Sequence, residues 1–500
     1  MINGGDTAVD RFRTELGLLL GARFADDQLP LLREVLDARM RASGCVELDA
    51  YLARVRSVNA ELAEIARRTT VTETYFLRDA NQFLAFEALA SERTSAGKPL
   101  RLLSAGCSSG EEAYSLAISL LWVLPDLRQA GVSITGVDIN PDALEKARRG
   151  RYSAWSLRGV PDDFAARYLR RDGKEYVIES ALREAVRFEP GNLARPELEF
   201  WRPDSFDVIF CRNVLMYFVP EVARGVVARL AGALAPDGHL FLGHAENLRG
   251  LSSDFHLVHS HGTFYYRRRA AGASVPSHEL ESDRVEPRAR VEPAPELSDD
   301  WHRVIADASS RIEGLTRARD QSGVEPQEAP RSLAGSGDLG PALLLLGQDR
   351  FRDALAILPA PPAEADTDAL LLRAVLLLGN GEAAEAERVC ASLLGVDDLN
   401  AGAHYVLSLC RDHAGDTDGA VEHAQVAAYL DPEFAMPHLQ LGLLARRAGK
   451  LGPARRELGL ALELLAREDA SRVVLFGGGF RRHALIQLCR AEISQCEGRA

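Results

Sequence analysis

The chain has 500 residues, 46% of them hydrophobic and 26% charged, with a formal net charge of -13. A single core does not grow to that size, so two or three domains are expected. The acidic balance argues against a general binder of nucleic acid or of membrane surfaces. No apolar run approaches the roughly 18 residues of a membrane span, and the start Met1-Ile-Asn-Gly-Gly-Asp6 lacks the parts of a signal peptide. The seven cysteines are scattered and contain no CxxC pair, so a soluble cytoplasmic protein without membrane insertion is expected.

From residue 8 to about 95 apolar residues recur at helical spacing, as in Leu29, Leu32, Val35 and Leu36, then Leu52, Val55, Val58, Leu62 and Ile65. Arg33, Arg39 and Arg41 there read either as a contact for an acidic partner helix or as a solvated face. From Leu100 to about Arg268 short apolar runs alternate with helical stretches, the pattern of an α/β domain with a parallel sheet. Arg101 to Ala105 reads as a strand, Gly106-Cys-Ser-Ser-Gly110 as a tight turn and Glu111 to about Leu121 as a helix, so backbone N–H groups face a ligand there. The turn is not GxGxxG, and the Glu111-Glu112 pair repels a pyrophosphate. Carboxylates at this place suit a positive group, such as the amino-acid portion of S-adenosylmethionine (SAM), unless Glu112 only favours the helix N-terminus.

Val132 to Val137 is the next strand, ending at Asp138. Asn140 is a natural N-cap, Pro141 fits the first turn and Gly150 fits the far end of the helix between them. An acidic residue at a second-strand tip binds ribose hydroxyls in nucleotide-binding sheets; Asp138 also fits a plain strand-end turn. Arg187-Phe-Glu-Pro-Gly-Asn192 ends a further strand, and Asn192 suits either an adenine edge or simple turn formation. Phe206-Asp-Val-Ile-Phe-Cys211 reads as a strand buried on both faces, with Arg212 and Asn213 at its carboxyl end and Met216, Tyr217 and Phe218 within about a turn. His256, His259 and His261 precede a final strand at Thr263-Phe-Tyr-Tyr266 and lack supporting ligands at metal spacing, so no metal site is expected.

Residues 269–335 are rich in Pro, Glu, Ser, Arg and Asp and read as a flexible linker, with one amphipathic helix around Trp301 to Leu315. Beyond it Gly381, Gly415 and Gly449 lie 34 residues apart, as do Ala386, Ala420 and Ala454, and Leu407 and Leu441 keep the same spacing. That period is the tetratricopeptide signature, with a degenerate unit at Leu343 to Leu358; a plain helical bundle is the other reading. Either offers a helical surface for an unidentified protein partner. Phe476-Gly-Gly-Gly-Phe480 lacks the Lys-Ser/Thr of a phosphate loop and reads as a helix break.

Five runs in order carry a resemblance: Thr72-Glu-Thr-Tyr-Phe-Leu-Arg-Asp79; Ser104-Ala-Gly-Cys-Ser-Ser-Gly-Glu-Glu-Ala-Tyr-Ser115; Gly136-Val-Asp-Ile-Asn140 with Leu144-Glu-Lys-Ala-Arg148; Phe206 to Phe218; and Leu234-Ala-Pro-Asp-Gly238 with Gly243-His-Ala-Glu-Asn247. Over roughly residues 10–268 the chain resembles the CheR-type chemoreceptor glutamate O-methyltransferases. The resemblance implies a helical domain over 1–95, a Rossmann-like SAM-binding domain over 96–268 with a β-subdomain at about 152–184, and the repeats over 336–500. It puts Thr72, Thr74 and Arg78 beside the methyl donor, Glu112 and Asp138 on SAM's polar groups, Asn192, Leu193, Arg212 and Asn213 around the nucleoside, and Tyr217 at the substrate glutamate. Thr72 stands where the family usually has Asn, Leu77 where it has Phe and Ala113 where it has Pro.

The implied activity is methyl transfer from SAM to glutamates on chemoreceptor cytoplasmic helices, for adaptation in chemotaxis-like signalling. A glutamate γ-carboxylate, with a pKa near ~4.3, is ionised at neutral pH, so no general base is required. Arg78 suits the task of orienting it, unless it is bound in an ion pair with Asp79 or Glu73. Two other readings are a methyltransferase acting on a different carboxylate and a catalytically silent scaffold working through its repeats.

Overall fold

The computed structural model of the chain describes residues 4–124, 126, 127, 130–158, 160–196, 201–269, 339–348, 350–358, 366–478 and 480–497. It divides into two compact units, Met1–Ala273 and Ser274–Ala500. Apart from Arg269, the expected linker and its helix around Trp301 to Leu315 lie outside the described residues.

The first unit opens with helices Gly4–Leu19, Leu29–Ser43, Leu48–Ser57 and Asn59–Thr69. Their apolar stripes meet in a core that includes Phe12, Leu16, Leu32, Val35, Tyr51, Leu52, Val55, Leu62 and Ile65. Val58 lies between two helices in extended conformation rather than on a stripe. Arg39 belongs to neither surface reading of its helix. Its guanidinium holds the buried Glu61 carboxylate through Nε at 2.9 Å and a second nitrogen at 3.0 Å, and the Tyr51 hydroxyl donates to the same group at 3.0 Å. A bidentate clamp of this kind is how a carboxylate is tolerated inside a small core.

Among the described residues ten strands follow: β1 (Leu100–Ala105), β2 (Val132–Asp138), β3 (Arg151–Ser153), β4 (Leu169–Asp172), β5 (Glu175–Ile178), β6 (Val186–Pro190), β7 (Phe206–Cys211), β8 (Leu234–Leu242), β9 (Phe255–Ser260) and β10 (Thr263–Arg268). Seven form one sheet in the order β6-β2-β1-β7-β8-β10-β9. The neighbours from β6 to β8 run parallel, and β10 pairs antiparallel with β8 and β9. β3, β5 and β4 make a separate antiparallel sheet.

Every residue of β7 is buried, as the run Phe206 to Cys211 demands, and the exception in polarity is paid for locally: Asp207 accepts the Arg101 backbone N–H at 2.8 Å and pairs with the Arg93 and Arg101 side chains. Across the sheet, Phe83, Phe210, Phe241 and Tyr265 stack with neighbouring centroids 5.7, 4.4 and 4.9 Å apart. Each such burial contributes about 1.5–3 kcal/mol. The stack fixes β7 and β8 beneath the helix Ala80–Ser95 and so fixes what emerges from their ends.

In the second unit, helix pairs Thr367–Gly379/Ala383–Val396, Ala401–His413/Thr417–Leu430 and Ala435–Arg447/Leu451–Leu465 follow one another, preceded by Gly340–Leu346/Phe351–Ile357. Ala386, Ala420 and Ala454 are fully buried where paired helices cross. Gly381, Gly415 and Gly449 turn each pair with φ of 84°, 79° and 72°, the left-handed region that an L side chain avoids. This is a tetratricopeptide-like array. No helix among the described residues is long and apolar enough to cross a membrane.

Candidate functional site

In an open α/β sheet ligands bind beyond the carboxyl ends of the strands, where strand order reverses. Here the reversal lies between β1 and β7. One cavity opens there, and it brings together Thr74, Arg78, Glu112, Asp138, Asn192, Leu193, Arg212, Asn213 and Tyr217. Thr72 is not among its lining residues; it is exposed, and its carbonyl accepts the Ser108 hydroxyl at 3.1 Å.

The turn after β1 is shaped by its glycines. Gly106 adopts φ +78°, and a Cβ there would stand 2.4 Å from Val214 Cγ2, so the loops after β1 and β7 touch only because no side chain intervenes. Leu77, Asp79, Ser108 and Asn213 also take left-handed φ, between 49° and 66°. Non-glycine residues held this way cost on the order of 1–3 kcal/mol each and persist only where the surroundings over-determine them. Ser108 and Asn213 line the cavity, and Leu77 and Asp79 flank its Arg78 in sequence, so the cavity is a place where geometry outranks local comfort.

The two acidic neighbours at the start of the helix Glu111–Val123 part company. Glu111 is fully buried and accepts from the hydroxyls of Ser109 at 2.7 Å and Ser156 at 2.9 Å. Glu112 faces the cavity, held by the Ser104 hydroxyl at 2.7 Å, with Arg212 3.6 Å away. Burial pushes its carboxyl above the usual range, against the opposing pull of Arg212. Asp138 accepts the N–H of Ser108 and of Asn140, each at 2.8 Å, one on each oxygen. Burial raises this carboxyl too, although those N–H groups favour its charge. Each oxygen keeps a second lone pair for a ribose hydroxyl. Asn140 caps the helix Pro141–Arg149 by accepting the N–H of Asp142 and Ala143, and so carries Asp138 into position.

Arg212 is buried and works inward. It donates to the Arg78 carbonyl at 2.6 Å and to Asp79 at 3.0 Å, bridging that carboxylate towards Glu112. Asp79 also meets His244 at 2.9 Å. Burial alone would raise the Asp79 carboxyl, but the His244 hydrogen bond and the Arg212 charge outweigh it and hold it low; the same contact raises His244. With Asp79 engaged and Glu73 paired to Arg158 at 3.0 Å, Arg78 is not in the ion pair that its acidic neighbours offered. Among the described residues no carboxylate lies within ion-pair distance of the Arg78 guanidinium, which lies 5.7 Å from the Tyr75 ring.

Asn192 is likewise engaged: its amide donates to the Leu19 carbonyl at 2.8 Å and its oxygen accepts the Ala194 N–H at 3.0 Å. One important group escaped sequence reasoning. Glu246, 4% exposed in the loop after β8, accepts the N–H groups of Asn213 at 2.6 Å, Val214 at 2.8 Å, Gly243 at 2.9 Å and Met216 at 3.2 Å. Its only signal was a place within the run Gly243 to Asn247.

A parallel sheet with an acidic residue at the second strand tip, and with Glu111 and Glu112 at the helix start where a pyrophosphate would sit, fits a nucleoside-binding enzyme of the methyltransferase class better than a dinucleotide enzyme. The Glu112 and Asp138 carboxylates, raised by burial, lack a full counter-charge. A ligand bearing a positive amino group and a ribose diol supplies the charge and the O–H donors that they can accept, as SAM does. Residues 72–264 match the family model "CheR methyltransferase, SAM binding domain". "Chemotaxis protein methyltransferase 2" of Vibrio cholerae is 34% identical over 273 residues, spanning 52% of this chain and 93% of that protein. "Probable biofilm formation methyltransferase WspC" of Pseudomonas aeruginosa is 29% identical over 463 residues, spanning 89% and 96%. The WspC of Pseudomonas putida is 28% identical, spanning 85% and 91%. The chain belongs to the CheR methyltransferase family: it is a SAM-dependent methyltransferase of chemotaxis-like signalling, with a helical-repeat region at its C-terminal end.

Proposed function

We propose that the protein esterifies glutamate γ-carboxylates on the cytoplasmic helices of chemoreceptor-type proteins, and that its repeats dock a protein partner. The observation carrying this reading is the Arg78 guanidinium, which lines the cavity with no carboxylate of the described residues within ion-pair distance, Glu112 acting on it only from further off. A cation left in this state in the cavity that Tyr217 also lines is complementary to an incoming carboxylate. Asp138 and Glu112 are the residues to hold the ribose and the positively charged end of the cofactor, with Asn213 and Leu193 against the nucleoside.

When bound, SAM supplies an electrophilic methyl group on a sulfonium. The acceptor is already an anion, so no side chain has to remove a proton. Arg78 holds one acceptor oxygen and leaves the other to attack; the guanidinium does not give up its own proton to the carboxylate. Tyr217, 42% exposed on the turn Leu215–Tyr217, forms the wall past which the glutamate enters. Fixing the two reacting atoms in line and excluding water supplies on the order of 7–11 kcal/mol.

The test is incubation with methyl-labelled SAM and purified receptor cytoplasmic fragments. Label released by mild base is expected, and it should vanish when the acceptor glutamates are changed to alanine. Failure to label any receptor fragment overturns the acceptor assignment. Removal of residues 336–500 is expected to spare this activity on a soluble fragment while abolishing partner docking.

A further inference from the structure

In the C-terminal unit one segment leaves the repeat pattern. The first helices of successive pairs touch one another more closely than the second helices do, so the first helices line the inner face of the array. Arg482–Glu497 continues the stack against Leu451–Leu465. Between these two, the short helix Ala470–Phe476 crosses the inner face and reaches both Thr367–Gly379 and Gly340–Leu346.

Its contacts have the character of a seated ligand. The Phe476 ring lies 5.7 Å from Tyr405 and 4.8 Å from Phe434, and the Tyr405 hydroxyl donates to the Phe476 carbonyl at 3.5 Å. Gly402 makes the room: a Cβ there would stand 2.8 Å from the tip of the Phe476 ring. One turn earlier, Arg472 lies 4.4 Å over the Phe434 ring and pairs with Asp431 at 3.1 Å. The groove thus reads a cation and an aromatic ring spaced i, i+4 on one helical face.

We propose that the inner face of the repeats is a docking groove for a partner's amphipathic helix bearing Arg and Phe four residues apart, and that Ala470–Phe476 occupies it as an internal competitor. A helix of seven residues has no stability of its own and is held by what it lies on. Asp469 caps its start, and Gly477 and Gly478 follow its end, Gly478 at φ +59° with nothing within 4 Å of a would-be Cβ. On this proposal the segment leaves as a unit, hinged at Gly478, while Arg482–Glu497 stays on the stack. This names the chemistry of the partner proposed for the repeats and does not depend on methyl transfer.

The experiment uses a fluorescent peptide of residues 466–481 as probe against the full chain. Three forms are compared: wild type, Phe476→Ala, and a chain with residues 470–478 replaced by an equal length of Gly and Ser. If the groove is open in only about 1–10% of molecules, wild type binds the probe about 10–100-fold more weakly than the replaced chain. A probe carrying Phe476→Ala is expected to bind none of them. A replaced chain that melts cooperatively yet ignores the probe, or wild type binding it equally well, overturns the proposal. Loss of cooperative melting in both altered chains also overturns it, because the segment is then part of the core. Partner docking that survives such a failure shows that the repeats dock by another surface.

Discussion

Glu246 accepts the backbone N–H of Asn213 at 2.6 Å, and the same carboxylate takes the N–H groups of Val214 and Met216. One side chain from the loop after β8 thereby folds the whole loop after β7, including the left-handed turn at Asn213. Glu246→Gln replaces one accepting oxygen with a donor that faces N–H groups. A loss of about 1–3 kcal/mol of stability is expected, read by thermal or urea melting. SAM affinity, measured by calorimetry, should fall with it, although Glu246 is not among the cavity-lining residues.

Arg78 is expected to separate binding from chemistry. Arg78→Ala should lower kcat/KM for a receptor fragment on the order of 100-fold while leaving SAM affinity nearly unchanged. Arg78→Lys should recover only part of the loss, because an ammonium cannot offer the planar fork. Equal losses in both measurements would make Arg78 a cofactor ligand instead.

Glu112 has a pH signature. Its carboxyl is raised by burial in the folded chain, so its contribution to stability is present below the unfolded pKa and is lost as pH rises through the folded one. In the absence of cofactor, Glu112→Gln should melt at the same temperature as wild type at about pH 4 and higher than wild type at about pH 8. Calorimetry on the same variant should show SAM affinity reduced on the order of tenfold or more at the higher pH. Melting curves that differ in the opposite sense would mean that Arg212 already outweighs burial.

The repeats offer a signed pair of glycine substitutions. Gly415 sits at φ +79°, so Gly415→Ala should destabilise by about 1 kcal/mol. Gly459 lies within the helix Leu451–Leu465 with nothing within 4 Å of a would-be Cβ. Gly459→Ala should therefore stabilise by about 0.5–1 kcal/mol. Chemical denaturation of the full chain, followed by far-UV circular dichroism, reads both.

Local signals made much of this legible. The apolar run Phe206 to Cys211 has one reading as a buried strand, and Asn140 with Gly150 brackets its helix from both ends. The 34-residue glycine period marks the repeat turns because each needs a positive φ. What could not be read was the allocation of side chains to distant partners. Glu111 and Glu112 are adjacent yet face opposite ways, since Ser156 and Arg212 settle them from far along the chain. Arg212 and Asn192 lie beside the ligand cavity with polar groups already committed to Asp79 and Leu19. Sequence offers residue types at strand ends; it does not say which are already occupied.

The first N-terminal helix, Gly4–Leu19, ends in a stretch that supplies part of the cavity's wall. Arg23 donates its N–H to the Tyr217 carbonyl at 2.7 Å, Val219 returns one to Gly21 at 2.9 Å, and Leu20, Ala22 and Phe24 line the space. The helical domain is thus not a detachable recognition arm. Grafting residues 96–268 alone onto another protein would transplant a vessel with one side missing, and its failure to retain cofactor would say nothing about Asp138 or Glu112. Exchanges between members of the family should cut after Arg268, where both walls travel together.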